Sequence, residues 1–285
     1  MRFLAMETSS RQGGLALFSG SRCLQESPFA EGLHHGRELT VHLQNMLKGK
    51  GLKPADLEAI SVSLGPGSFT GIRVGATAAK SLALALGIPV VSESSLRVTA
   101  GNALEGAGEG PWRHATHVVP VVSGRGGLFF AGLHAIQAAR EAGDPESDPD
   151  KSLTLVVADR LGTARDFLRA FREGGLEEGG GGPARVLVVG DGADLFLDDL
   201  NAAREAARDA GQDRESRQGL SPLYSRGPSG WDYPRARILG LLTASRVSSA
   251  TFDIEAIHSL EPLYLRLSYA DAKLQAREAR GEDLR

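Results

Sequence analysis

Short apolar runs broken by glycine-containing turns open the chain. Arg2–Met6, Gly14–Phe18 and Arg22–Ser27 read as three strands, with Gly13-Gly14 and Ser19-Gly20-Ser21 as the hairpin turns. The period then lengthens. Leu39, Leu43, Met46 and Leu47 recur at helical spacing, which predicts a helix over His35–Lys48. A strand at Leu57–Leu64, a helix at Phe69–Leu86 and a strand at Val90–Ser92 follow. Three strands and then alternating helices and strands predict a mixed sheet covered on both faces, an α/β unit.

A second series of the same kind starts at His117–Ser123. It continues through Leu128–His134, Leu153–Val157, a helix at Thr163–Arg172 and a strand at Arg185–Val189. The residues do not repeat but the order of elements does, so an internal structural duplication is expected. Gly106, Gly108, Gly110 and Pro111 cluster within Glu105–Trp112 and place the boundary there. The expected units are 1–110 and 111–267, followed by a polar tail at 268–285. Residues 173–183, with Gly179-Gly180-Gly181-Gly182, and 201–219, rich in Ala, Arg, Asp and Glu, read as flexible insertions. Ala236–Val247 predicts a last helix, and Pro262–Leu265 a closing extended segment.

Composition narrows the class. A chain of 285 residues holds two modest cores, and 41% hydrophobic with 24% charged residues is ordinary for a globular protein. The net charge of −3 supplies no global attraction for a polyanion, which argues against extensive nucleic-acid contact by this chain alone. Cys23 is the single cysteine, so an internal disulfide and a Cys-rich zinc site are excluded and a reducing, cytoplasmic setting is expected. The opening Arg2–Met6 run reaches Glu7 too soon for a secretory signal, and membrane insertion is not expected.

The densest signal is Leu64-Gly65-Pro66-Gly67-Ser68-Phe69-Thr70-Gly71-Ile72-Arg73-Val74-Gly75, which joins a strand to the Phe69–Leu86 helix through a tight turn. Gly65 and Gly67 permit backbone angles closed to other residues, and Ser68 or Thr70 caps the helix. Such a turn either cradles a phosphate at the helix N-terminus or serves close packing alone. No Lys follows at the spacing of a Walker loop.

GPGSFTGIRVG, together with FLAMETSS at the N-terminus and EPLYLR near the C-terminus, strongly resembles the TsaB (YeaZ) family of tRNA threonylcarbamoyladenosine synthesis. The resemblance is dense over Met1 to about Ala100, thin through the middle, and returns at Glu261–Arg266. It implies an actin-like, sugar-kinase-like (ASKHA) fold of two ribonuclease-H-like halves. It also implies a non-catalytic accessory subunit for a TsaD-like enzyme, which transfers threonylcarbamoyl to N6 of adenosine 37 in tRNAs reading ANN codons. A TsaE-like ATPase, a homodimer of the isolated chain and indirect contact with tRNA belong to the same expectation.

In the actin-like superfamily an acid after the first strand helps hold a nucleotide's metal; here that position is Glu7, followed by Thr8 and Ser9. Glu7, Thr8, Gly65, Gly67, Ser68, Thr70 and Gly71 are the candidate nucleotide or phosphate residues, with no cofactor required and at most weak ATP or ADP binding. Glu7 and Thr8 read equally well as a strand end and its turn. The family's enzyme TsaD carries a metal-binding His-x-x-x-His after the strand matching Pro89–Ser92, where this chain has Ser95 and Thr99, so no metal is expected. His35 and His42, seven apart on a helix, lie roughly 10 Å apart along its axis and cannot chelate one ion by themselves. Ser68 lacks the spacing of a hydrolase elbow. A catalytic ATPase or small-molecule kinase using Glu7 and the glycine turn is the competing class. The older glycoprotein-protease assignment of the superfamily lacks a nucleophile.

Gly71, Gly75, Ala79, Ala83 and Gly87 fall four residues apart and form a small-residue track on an apolar helix. The expected partner interface is His35, Leu39, His42, Leu43, Met46, Gly75, Ala79, Ala83 and Leu86, on the two helices that pair in the TsaB family. A buried crossover helix needing no partner is the alternative.

Overall fold

The computed structural model describes residues 1–30, 32, 35–106, 112, 114–137, 148–174, 176, 183–209 and 222–263. Strands β1 (Arg2–Glu7), β2 (Gly14–Ser19), β3 (Arg22–Pro28), β4 (Ala59–Ser63) and β5 (Val90–Glu93) form one sheet in the order β3-β2-β1-β4-β5. Strands β6 (His117–Ser123), β7 (Phe129–Ile136), β8 (Leu153–Gly162), β9 (Arg185–Val189) and β10 (Leu223–Arg226) form a second, in the order β10-β9-β6-β7-β8. Read from its other edge, the second sheet repeats the third-second-first-fourth-fifth order of the first. In each, the first strand pairs antiparallel with the second and parallel with the fourth. This is an α/β fold of the actin-like (ASKHA) kind, and the duplication lies in topology, not in residues.

The sheets and helices stack as five layers. Helices α1 (His35–Gly49) and α2 (Phe69–Leu86) cover the outer face of the first sheet. Helices α3 (Ser95–Gly106) and α6 (Ala236–Ser249) lie between the sheets, while α4 (Ala164–Glu173) and α5 (Ala193–Asp209) cover the outer face of the second. The short α7 (Ile254–His258) packs on α2. With both faces covered, β1 is apolar from Phe3 to Met6: Phe3 and Ala5 face the central layer, Leu4 and Met6 the outer one. Phe3 stacks on Phe18 at 4.9 Å, and α6 passes so close that a side chain at Gly240 would overlap the Phe18 ring.

The expected division at 110/111 does not separate the layers in space. Residues 236–258 follow the second sheet, yet α6 contacts all five strands of the first and α7 packs on α2. The small, apolar inner face made by Ala5, Ala16 and Ala59 needs a cover, and α6 is the segment that supplies it. Helix α3 escapes a periodicity search because Ser95, Leu96, Val98, Thr99, Ala100, Gly101, Asn102 and Ala103 are all buried between the sheets, which leaves no polar stripe. The expected insertion at 201–219 begins inside α5, whose Asn201–Asp209 end is helical. Residues 175, 177–182 and 210–221 of the insertions, and 264–285 including the expected tail, fall outside the described residues. The closing segment is described as far as Leu263, whose N–H donates to Leu64 O at 2.8 Å.

Candidate functional site

The glycine turn between β4 and α2 is built around the end of β1. Ser68 caps α2 by accepting from Gly71 N–H at 3.2 Å, and the Ser68 N–H itself donates to Ser9 O at 2.6 Å. Thr8 Oγ1 donates to Gly71 O at 2.8 Å. A Cβ at Gly67 would overlap Ser9 O, one at Gly71 would overlap Thr8 O, and one at Gly75 would overlap Thr8 Oγ1. From the other side, Ser95 N–H donates to Gly65 O at 2.8 Å and Ser95 Oγ donates to Pro66 O. Gly65 holds φ at 99°, a value side chains rarely adopt. Glu7, Thr8, Gly65, Gly67, Ser68 and Gly71 do converge, with Thr70 exposed beside them. The room beside Gly67 and Gly71 that a phosphate would take is filled by Thr8 and Ser9, which favours the close-packing reading of the turn.

Glu7 is fully buried. Its Oε1 accepts from Ser9 N–H and Ser9 Oγ at 2.6 Å each, whereas Oε2 and the neighbouring strand's Ser63 Oγ have no partner. Burial pushes the carboxyl up to about 7, against the lowering effects of the Ser9 bonds and, more weakly, of the nearby Ser63 hydroxyl and Thr8 N–H. It takes part in no ion pair, and among the described residues no three His, Cys, Asp or Glu side chains come together. A half-neutral carboxyl committed to its own turn does not fit a nucleotide-bound Mg²⁺, which needs an ionised oxygen open to the ion. Ser95 and Thr99 are equally engaged: Thr99 Oγ1 donates to Ser95 O at 2.8 Å.

Two polar features escaped the sequence reading because their members are distant in sequence. Arg97 Nη1 reaches Glu93 Oε2 at 2.8 Å and Asp150 Oδ1 at 2.7 Å, and Arg246 also binds Glu93, so α3, α6, β5 and the approach to β8 are tied together. Ser94 Oγ donates to Asp159 Oδ2 at 2.5 Å across the two sheets. His134 on β7 is fully buried with neither ring nitrogen partnered, and burial, assisted by Arg97, pushes it down to about 4.

The expected interface is largely interior. Leu39, Leu43, Met46, Ala79 and Ala83 belong to the outer core of the first sheet, Gly75 is buried on Thr8, and Leu86 is half-buried against that core. His42 bonds Ser27 Oγ through Nδ1 at 2.7 Å and meets the Phe29 ring edge-on, so it holds α1 to β3. His35 opens α1, but its side chain is outside the described residues. The small-residue track faces the sheet because close approach of α2 to β1 and β4 demands it. The solvent side of the two helices carries Val41, Phe69 and Leu84, exposed by 50%, 49% and 40%, with Arg73 and Thr77. The Arg73 guanidinium lies 3.8 Å over the Phe69 ring, beside a shallow groove of about 520 Å³ lined by Thr70, Val74, Thr77 and Ala78. The signal was present in the sequence: positions 69, 73 and 77 keep the same four-residue spacing one face away.

Residues 28–149 match the family model "TsaD: tRNA N6-adenosine threonylcarbamoyltransferase". The chain is 33% identical over 135 residues to the tRNA threonylcarbamoyladenosine biosynthesis protein TsaB of Bacillus subtilis, covering 47% of this chain and 55% of that protein. It is 31% identical over 132 residues to TsaB of Escherichia coli, covering 46% and 53%. A solved YeaZ structure from Pseudomonas aeruginosa superposes with a TM-score of 0.63 at 18% identity, over 92% of this chain and 99% of that one. The chain is similar to TsaB proteins over just under half of its length. It spans little more than half the length of the curated TsaB proteins it matches, and the solved YeaZ structure supports the fold alone. Among the described residues no helix is long and apolar enough to cross a membrane.

Proposed function

We propose that this chain serves tRNA threonylcarbamoyladenosine synthesis as a non-catalytic subunit that docks a TsaD-like transferase through the solvent side of α1 and α2. The observation that carries the reading is the exposed Val41, Phe69, Arg73 and Leu84 face on a chain similar to TsaB proteins. An aromatic ring under a guanidinium, half open to water, is the kind of anchor that dominates binding energy once a partner covers it. The same face serves a second copy when the chain is alone. A TsaE-like ATPase joins the pair, and the setting is the cytoplasm. No cofactor is required: the buried Glu7 and the hydroxyls at Ser95 and Thr99 favour support over catalysis.

The test is sedimentation of purified chain with the TsaD-like protein of the same cell, comparing wild type with Phe69→Asp and Val41→Asp. Loss of a central anchor costs about 2 kcal/mol or more, about a 30-fold weaker complex. Cells carrying only these variants should lose the tRNA modification. Undiminished pairing by a folded Phe69→Asp protein would move the docking face elsewhere, and metal-dependent ATP turnover by the isolated chain would overturn the non-catalytic assignment.

A further inference from the structure

Helix α4 and the end of β8 carry a row of cations that neither the core nor the docking face uses. The buried side of α4 is Ala164, Phe167, Leu168, Ala170 and Phe171. Arg165 and Arg169, one turn apart, fall on the exposed side, about 6 Å apart along the helix axis. Arg160 of β8 adds a third guanidinium 5.6 Å over the Phe167 ring. A shallow cavity of about 390 Å³ lies between Arg160, Asp166, Arg169 and Glu173.

Three observations set this row apart. Five other arginines are held in ion pairs: Arg97 and Arg246 with Glu93, Arg226 with Asp194 and Asp232, Arg235 and Arg237 with Glu105. Arg160 and Arg165 form no ion pair among the described residues. Secondly, Arg165 sits in the first turn of α4, two residues after the Thr163 cap, where the helix dipole disfavours a cation. Thirdly, the nearest carboxylate is already committed: Asp166 Oδ2 accepts from Thr163 N–H at 3.0 Å and Thr163 Oγ1 at 2.7 Å, which holds its carboxyl below the usual range. Only the weak 3.4 Å contact to Arg169 remains, leaving that guanidinium 72% exposed.

We infer that the Arg160, Arg165 and Arg169 face binds the phosphate backbone of an RNA directly. A linear row of guanidinium forks suits a linear polyanion, because each fork takes two phosphate oxygens. The net charge of −3 makes the contact local: a few phosphates, without base readout. The face lies on the outside of the second sheet, away from α1 and α2, so RNA and the docked partner bind at once. The choice of tRNA as the RNA rests on the proposed function; the electrostatic contact does not.

The experiment is fluorescence anisotropy of an unmodified tRNA transcript with the full chain at 50–200 mM salt. Compared are wild type, Arg165→Glu with Arg169→Glu, and Lys50→Glu with Lys53→Glu on the other half of the molecule. The expected result is salt-dependent binding by wild type and a loss of about tenfold or more at low salt in the arginine variant. The slope of log affinity against log salt should also fall by about two, while the lysine variant behaves as wild type. Arg165→Glu places an acid in the first turn, so this variant should melt no lower than wild type. Should it do so, Arg160→Gln with Arg165→Gln repeats the comparison. No binding by wild type, undiminished binding by the arginine variants, or equal loss in the lysine variant would each overturn the inference. Because no partner is present, these outcomes are independent of whether the α1–α2 face docks a TsaD-like protein.

Discussion

Replacing Glu7 with Gln should change the pH dependence of stability more than any other single substitution in the first sheet. The folded carboxyl titrates at about 7, against an ordinary value of 4.5, and the cause is complete burial. A raised folded value means that the native state holds the proton more tightly. The stability it confers is fully present below pH 4.5 and is lost as pH rises through about 7. Across that gap, at about 1.4 kcal/mol per pH unit, the loss amounts to about 3 kcal/mol, a large share of a domain's stability. In Glu7→Gln the amide oxygen keeps the two Ser9 bonds and the amide nitrogen can donate to Ser63 Oγ. The variant should exceed wild type by less than about 1 kcal/mol near pH 5 and by up to about 3 kcal/mol near pH 8. Urea unfolding at pH 5, 6, 7 and 8 reads the difference. Parallel profiles for the two proteins would refute the reasoning and place an ionised, satisfied carboxylate at Glu7.

His134 works in the opposite direction: its folded value is about 4 against 6.5, so its contribution is present above pH 6.5 and is lost as pH falls toward 4. His134→Leu sacrifices no hydrogen bond and should remove about 3 kcal/mol of acid destabilisation, read as a higher urea midpoint at pH 4.5 relative to wild type. Ala83→Arg should fail to fold, because the residue is fully buried against the sheet and an unpaired interior charge costs several kcal/mol. Circular dichroism separates it from Phe69→Asp, which should keep native melting behaviour; a folded Ala83→Arg would show that α2 presents its small-residue track outward.

The order of elements, the apolar runs and the turn glycines already specify two similar α/β units, because a strand covered on both faces must be apolar along its whole length. GPGSFTG, FLAMETSS and EPLYLR carry the family resemblance in the same linear way. Which face of α2 meets solvent is not written in the spacing, since both the 71-75-79-83 and the 69-73-77 positions recur every four residues. Contact with Thr8 and Val62 decides it by admitting no side chain at Gly75. The same holds for α3, whose uniform burial erases its periodicity, and for α6, which crosses from the end of the second sheet to cover the first. Glu7 is legible as an acid after a strand, but its neutrality depends on the water excluded by β4 and α2. Local pattern determines where elements form; distance in space between segments far apart in the chain determines which of their residues remain available to a partner.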